Sequence, residues 1–158
     1  MTKKRIIAAS AVFLLIVATL VFIFCNSLDS REESSDKSGF VTEIITPILK
    51  IFMGKGNVTE HFVRKLAHFT EFFILGAESA VLAFLILRRG RVGVLSCLLF
   101  GVLSALSDET IQLFTGRGPS VADVWLDFGG FVTAFLIVFL PYAIFRITKF
   151  VKAFKKKS

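Results

Sequence analysis

Four apolar runs dominate this chain, each close to the length a helix needs to cross a bilayer. They are Ile6 to Phe24, Leu66 to Leu87, Val92 to about Phe114, and Val124 to Phe145. A hydrocarbon core about 30 Å thick takes about 20 residues at about 1.5 Å of rise each. The third run is the weakest, because its purely apolar part stops at Leu106, before Ser107, Asp108 and Glu109. With 54% of 158 residues hydrophobic, the spans leave no room for a separate soluble catalytic domain. The expected fold class is therefore all-α: a polytopic membrane protein, a four-transmembrane-helix bundle forming one domain over residues 1–158.

The net charge of +7 is unevenly placed. Lys3, Lys4 and Arg5 precede the first span, Arg88, Arg89 and Arg91 fill the second connection, and Arg146, Lys149, Lys152, Lys155, Lys156 and Lys157 follow the last span. These regions hold 12 of the 19 basic residues and none of the acidic ones. The positive-inside rule then puts both termini in the cytoplasm. The basic tail, residues 146–158, reads as an anchor to anionic lipid and not as a nucleic-acid site. Cys25 and Cys97 fall at different depths, which argues against a disulfide between them. The first apolar run is longer than the usual core of a cleaved signal peptide, so a retained span is expected.

Between the first two spans, a Ser-, Asp- and Glu-rich stretch reads as a solvated loop. Residues 40–53 then place Val41, Ile44, Ile45, Ile48, Leu49 and Phe52 at a helical period, interrupted by Pro47. This is an amphipathic, interfacial segment on the outer surface. Asn57 with Glu60 three residues later marks an expected helix start. Thr115 to Ser120, with two glycines and a proline, reads as a tight turn, and Ser120 or Asp123 is expected to cap the fourth helix. Trp125 and Tyr142 suit the outer and inner interfaces.

Three stretches repeat the spacing i, i+4, i+7, i+11: Arg64/His68/Glu71/Leu75, Gly101/Ala105/Asp108/Gln112 and Asp123/Asp127/Gly130/Ala134. Each set falls within a narrow helical face. Ionisable side chains in hydrocarbon cost about 2.5 kcal/mol or more each, so they normally turn inward to partners or a ligand. A shared polar cluster is expected at the outer side, made of Arg64, Lys65, His68, Glu71, Asp108, Glu109, Gln112, Arg117, Asp123 and Asp127. Gly76/Ala80, Gly101/Ala105 and Gly130/Ala134 are small pairs that let helix backbones approach closely in lipid.

These residues resemble the VanZ-like family of small bacterial membrane proteins, named for a determinant of teicoplanin resistance. The resemblance runs over about residues 63–135. It is carried by Arg64-Lys65-Leu66-Ala67-His68-Phe69-Thr70-Glu71-Phe72, Ser107-Asp108-Glu109-Thr110-Ile111-Gln112-Leu113-Phe114, Gly116-Arg117, Ser120-Val121-Ala122-Asp123-Val124 and Gly129. Asp127 departs from it, since the family tends to have Asn there. Asn26-Ser27 is similar to the family's Ser-rich exit from its first helix. The resemblance implies a multi-pass protein of the bacterial cell membrane, linked to low-level resistance to lipidated glycopeptides without the known modification of the peptidoglycan precursor. Its implied partners are membrane lipids, a lipid-linked envelope component or the lipoglycopeptide itself.

Three roles fit the cluster. It can be an internal ion-pair network, with Arg64 and Arg117 clamping carboxylates. It can be a headgroup-binding site. It can also catalyse hydrolysis or transfer at a headgroup, with His68 or a carboxylate as base and a divalent cation on Glu71, Asp108 or Asp123. No nucleophile elbow, His-Glu-x-x-His spacing or phosphate-cradling loop is present, which weighs toward binding, and the sequence leaves cofactor and metal unknown. Glu78 extends the second-span face by two turns, and its expected state is a protonated carboxyl bonded to a serine or a backbone carbonyl. The 19 phenylalanines read as packing and lipid-facing residues.

Overall fold

In a computed structural model the described residues form four long helices: α1 Lys3–Ser27, α2 Glu60–Ile86, α3 Arg91–Phe114 and α4 Val121–Lys155. The structure describes residues 2–30, 59–86, 91–118 and 120–155, and residues 32, 34, 39, 43, 44, 46 and 47 between the first two helices. All four helices are long and apolar enough to cross a membrane. The interfacial segment at 40–53, Asn57, and Arg88 and Arg89 fall wholly or largely outside the described residues. The third span runs past its apolar part, carrying Asp108 and Glu109 as helix to Phe114. The fourth continues through Pro141 to Lys155, so much of the basic tail is helical.

The chain alternates direction. Arg5, in the first turn of α1, donates to the carbonyls of Leu85 (2.6 Å) and Phe84 (2.7 Å) at the end of α2. A cation there satisfies carbonyls that a helix leaves without intrahelical partners. The Phe84 ring also packs at a tilt against Tyr142 of α4, with centroids 4.2 Å apart. One end of the bundle thus collects Lys3, Ile86 and the C-terminal part of α4, while the other collects Ser27, Glu60, Phe114 and Val121.

Packing centres on α2 against α4, with α1 laid along α2 and α3 touching all three others. In lipid this association rests on close van der Waals contact, because lipid tails are as apolar as the side chains. The small residues supply the closeness. A Cβ on Gly76 would lie 2.1 Å from the carbonyl oxygen of Phe131, and one on Gly130 would lie 2.4 Å from that of Phe69. The α2 and α4 backbones therefore touch at two levels. Ala80, Ala105 and Ala134, the other halves of the small pairs, are buried. Phe72, Phe131 and Phe135 fill the space beside them, and the Phe131, Phe135 and Phe139 rings stack in sequence along α4. α1 contributes a narrow seam, Ala9, Ile16 and Ile23, spaced one heptad apart. Val12, Leu20 and Phe24 flank the seam, while Ile7, Leu14 and Phe22 face outward as lipid contact requires.

Candidate functional site

Local caps set where the polar residues fall. α2 starts one turn before its apolar run, and its cap is Thr59, whose hydroxyl accepts the Phe62 N–H at 3.2 Å. The helix start expected at Asn57 lies outside the described residues. α3 ends on Gly116, at φ +72°, with the Arg117 N–H bonded to the Gln112 carbonyl at 3.2 Å. This six-to-one closure through a left-handed glycine turns the chain back and lays Arg117 over the bundle end. Ser120 caps α4 through the Ala122 N–H (3.1 Å), and its own N–H donates to Glu109 Oε2 (2.9 Å). A carboxylate of α3 thereby ties down the start of α4.

The ten expected residues come together at this end. The most buried are Asp108, Asp127, Glu109, Arg117 and Gln112, with His68 and Glu71 beside them. Asp108 is fully buried and accepts hydrogen bonds from Ser27 Oγ (2.5 Å) and Gln112 Nε2 (2.7 Å). Glu71 Oε1 accepts from Asn26 Nδ2 at 2.9 Å. His68 Nδ1 faces Asp108 Oδ2 at 3.6 Å and Glu71 Oε2 at 3.8 Å, too long for hydrogen bonds. Arg117 donates to the Asn26 carbonyl (3.1 Å) and reaches His68 Nε2 at 3.3 Å. Since a guanidinium only donates, this contact leaves Nε2 as the acceptor and the ring proton on Nδ1. Burial and the neighbouring Arg64 push the Arg117 guanidinium below its ordinary value, with Asp108, Asp29 and Glu109 acting the other way.

Above this floor lies a recess of about 140 Å³. Arg64, Lys65, His68 and Arg117 contribute nitrogen, while Glu109, Gln112, Asp123 and Asp127 contribute oxygen or amide. For Arg117 the expected carboxylate clamp is not formed. Among the described residues, Lys65 pairs with Asp123 at 2.5 Å, whereas the hydrogen bonds of Arg117 go to a carbonyl and an imidazole.

Sequence spacing missed the contribution of α1. Asn26 and Ser27 bond Glu71 and Asp108, and the Ser27 carbonyl accepts the Thr115 hydroxyl at 3.2 Å, so all four helices build the cluster. Their signals were a polar pair closing an apolar run and its similarity to the family's Ser-rich exit from the first helix, neither of which named their partners. His61 and Leu126 also line the recess without having been singled out. Glu78 stands apart, two turns along α2, where the Thr19 hydroxyl of α1 donates to it at 3.0 Å. Its partner is thus a threonine on another helix, in place of the serine or backbone group expected. Cys25 and Cys97 are both free thiols.

Fold and site together define a small four-span membrane protein whose helices enclose a polar cluster at one end. The VanZ/LLP1 family profile matches residues 12–146, and the chain belongs to that family. No curated protein and no solved structure matches it.

Proposed function

We propose that this VanZ-like protein modulates susceptibility to lipoglycopeptide antibiotics of the teicoplanin class by holding a lipid or lipid-linked envelope component at the outer leaflet. The reading places it in the bacterial cell membrane with both termini cytoplasmic, as the basic flanks of the spans favour. The recess between Arg64, Lys65, His68 and Arg117 carries the proposal, because it offers a headgroup both cationic donors and a rigid polar floor. Its size selects among ligands. Pockets for drug-sized molecules hold about 300–1,000 Å³, so a recess near 140 Å³ suits a phosphate- or amine-sized group and excludes a whole glycopeptide. The antibiotic would therefore be affected through the envelope component and not captured in the recess.

Deleting the gene should change teicoplanin susceptibility, and the wild-type copy should restore it. The Asp123→Asn and Glu71→Gln variants are expected to accumulate normally and fail to restore it. Unchanged susceptibility on deletion contradicts the phenotype, and variants that simply fail to accumulate assign the cluster to structure alone. The lipid profile should be the same with and without overexpression. A lipid species gained or lost would replace binding with headgroup chemistry.

A further inference from the structure

Beneath the recess, three buried polar atoms on two helices lack any hydrogen-bond partner: His68 Nδ1, Glu71 Oε2 and Asp127 Oδ1. Asp127 is 1% exposed, so nothing in solvent compensates its oxygen. Leaving such a group unpaired forfeits its solvation without a replacement, and the loss is larger when the group is charged. One ligand atom each from His68, Asp108 and Asp127 lies within 4.8 Å of the others. We propose that this floor is a binding site for a divalent transition-metal ion, coordinated by His68, Asp108 and Asp127 with Glu71 as a fourth ligand. The site shares His68 and Asp127 with the recess above it, but metal retention can be read whatever the recess holds.

Geometry, charge and orientation agree. Two ligands about 2.1 Å from one ion lie no more than about 4.2 Å apart. His68 Nδ1 meets that limit with both Asp108 Oδ2 (3.6 Å) and Glu71 Oε2 (3.8 Å), while the triad that includes Asp127 spreads to within 4.8 Å and has to draw together on loading. The carboxylates are aimed as metal-binding carboxylates usually are, by hydrogen bonds from behind. Ser27 holds Asp108 by Oδ1 and Asn26 holds Glu71 by Oε1, so that Glu71 Oε2 and Asp108 Oδ2, which also accepts from Gln112, turn toward the imidazole. Lys65 engages Asp123 through Oδ1, and the proposed site does not draw on Asp123. One imidazole with carboxylates suits Mn²⁺, Fe²⁺ or Zn²⁺ over the all-oxygen preference of Mg²⁺ and Ca²⁺.

Loading couples to the recess. An ion on Nδ1 displaces the proton held there, and a ring reprotonated on Nε2 no longer accepts from Arg117. The guanidinium, 3.3 Å from Nε2 in the structure, is then released toward the recess it lines.

Full-length protein in detergent, stripped with EDTA and titrated with Mn²⁺, tests the site. The wild type should retain about one Mn²⁺ per chain after desalting, displaced by Zn²⁺ far more readily than by Mg²⁺. Pulsed EPR of the loaded wild type should show nitrogen modulation from one imidazole, which requires no variant to fold. Asp127→Asn, which keeps the side-chain shape, should weaken retention at least tenfold and abolish the Mn²⁺-dependent rise in Tm. Absence of Mn²⁺ retention by the wild type, absence of nitrogen modulation, or undiminished binding by a folded Asp127→Asn protein would each overturn the proposal.

Discussion

Asp108 accepts a hydrogen bond on each oxygen, one from Ser27 across the bundle and one from Gln112 a turn along its own helix. With no solvent-exposed surface, it depends on those donors entirely. Ser27 is equally buried, so Ser27→Ala removes a donor that water cannot replace. The expected loss is about 1–3 kcal/mol of stability, read as a lowered Tm in detergent. Gln112→Glu should cost at least as much, since it substitutes a carboxyl for the amide donor beside Asp108. An unchanged Tm for both would show that Asp108 does not rely on these bonds. Arg117 is the other residue whose position matters beyond its charge. Its guanidinium bridges the end of α1 and the His68 ring, which a lysine ammonium lacks the planar fork to reproduce.

At the scale of helices, two adjacent glycines separate packing from propensity. Gly130 presses against the Phe69 carbonyl, whereas a Cβ on Gly129 would meet nothing within 4 Å. Gly130→Ala should therefore destabilise by about 1–3 kcal/mol through overpacking. Gly129→Ala should be neutral or stabilising by up to about 1 kcal/mol through helix propensity. Thermal unfolding of the two variants side by side checks the pair, and equal effects would contradict the α2–α4 contact. The same contact explains what the sequence made legible. Polar and small residues at i, i+4, i+7, i+11 share a face on any helix, so three helices of the cluster and their close approach followed from spacing alone. Asn26 and Ser27 belong to no such repeat. They enter the site only because α1 lies against α2 and α3 at that height, which is a tertiary fact. The Lys65–Asp123 pair and the Arg117–His68 contact were likewise hidden, because a rotamer choice among several oppositely charged neighbours decides each of them.

For the whole molecule, the connectivity explains why a polar cluster survives in so apolar a chain. Both glycine- and serine-bearing caps, at Gly116 and Ser120, lie at the cluster end, and Arg5 closes the opposite end against α2. The bundle therefore has one end built around buried carboxylates and one surrounded by basic residues. In a bilayer that asymmetry sets a direction, and the proposed function requires the cluster to open outward. Labelling with a membrane-impermeant maleimide in intact cells measures this most directly, in a background carrying Cys25→Ser and Cys97→Ser. Gly118→Cys, beside the recess, should label from outside, and Lys152→Cys should label only after permeabilisation. The reverse pattern would place the cluster on the cytoplasmic side and contradict the account.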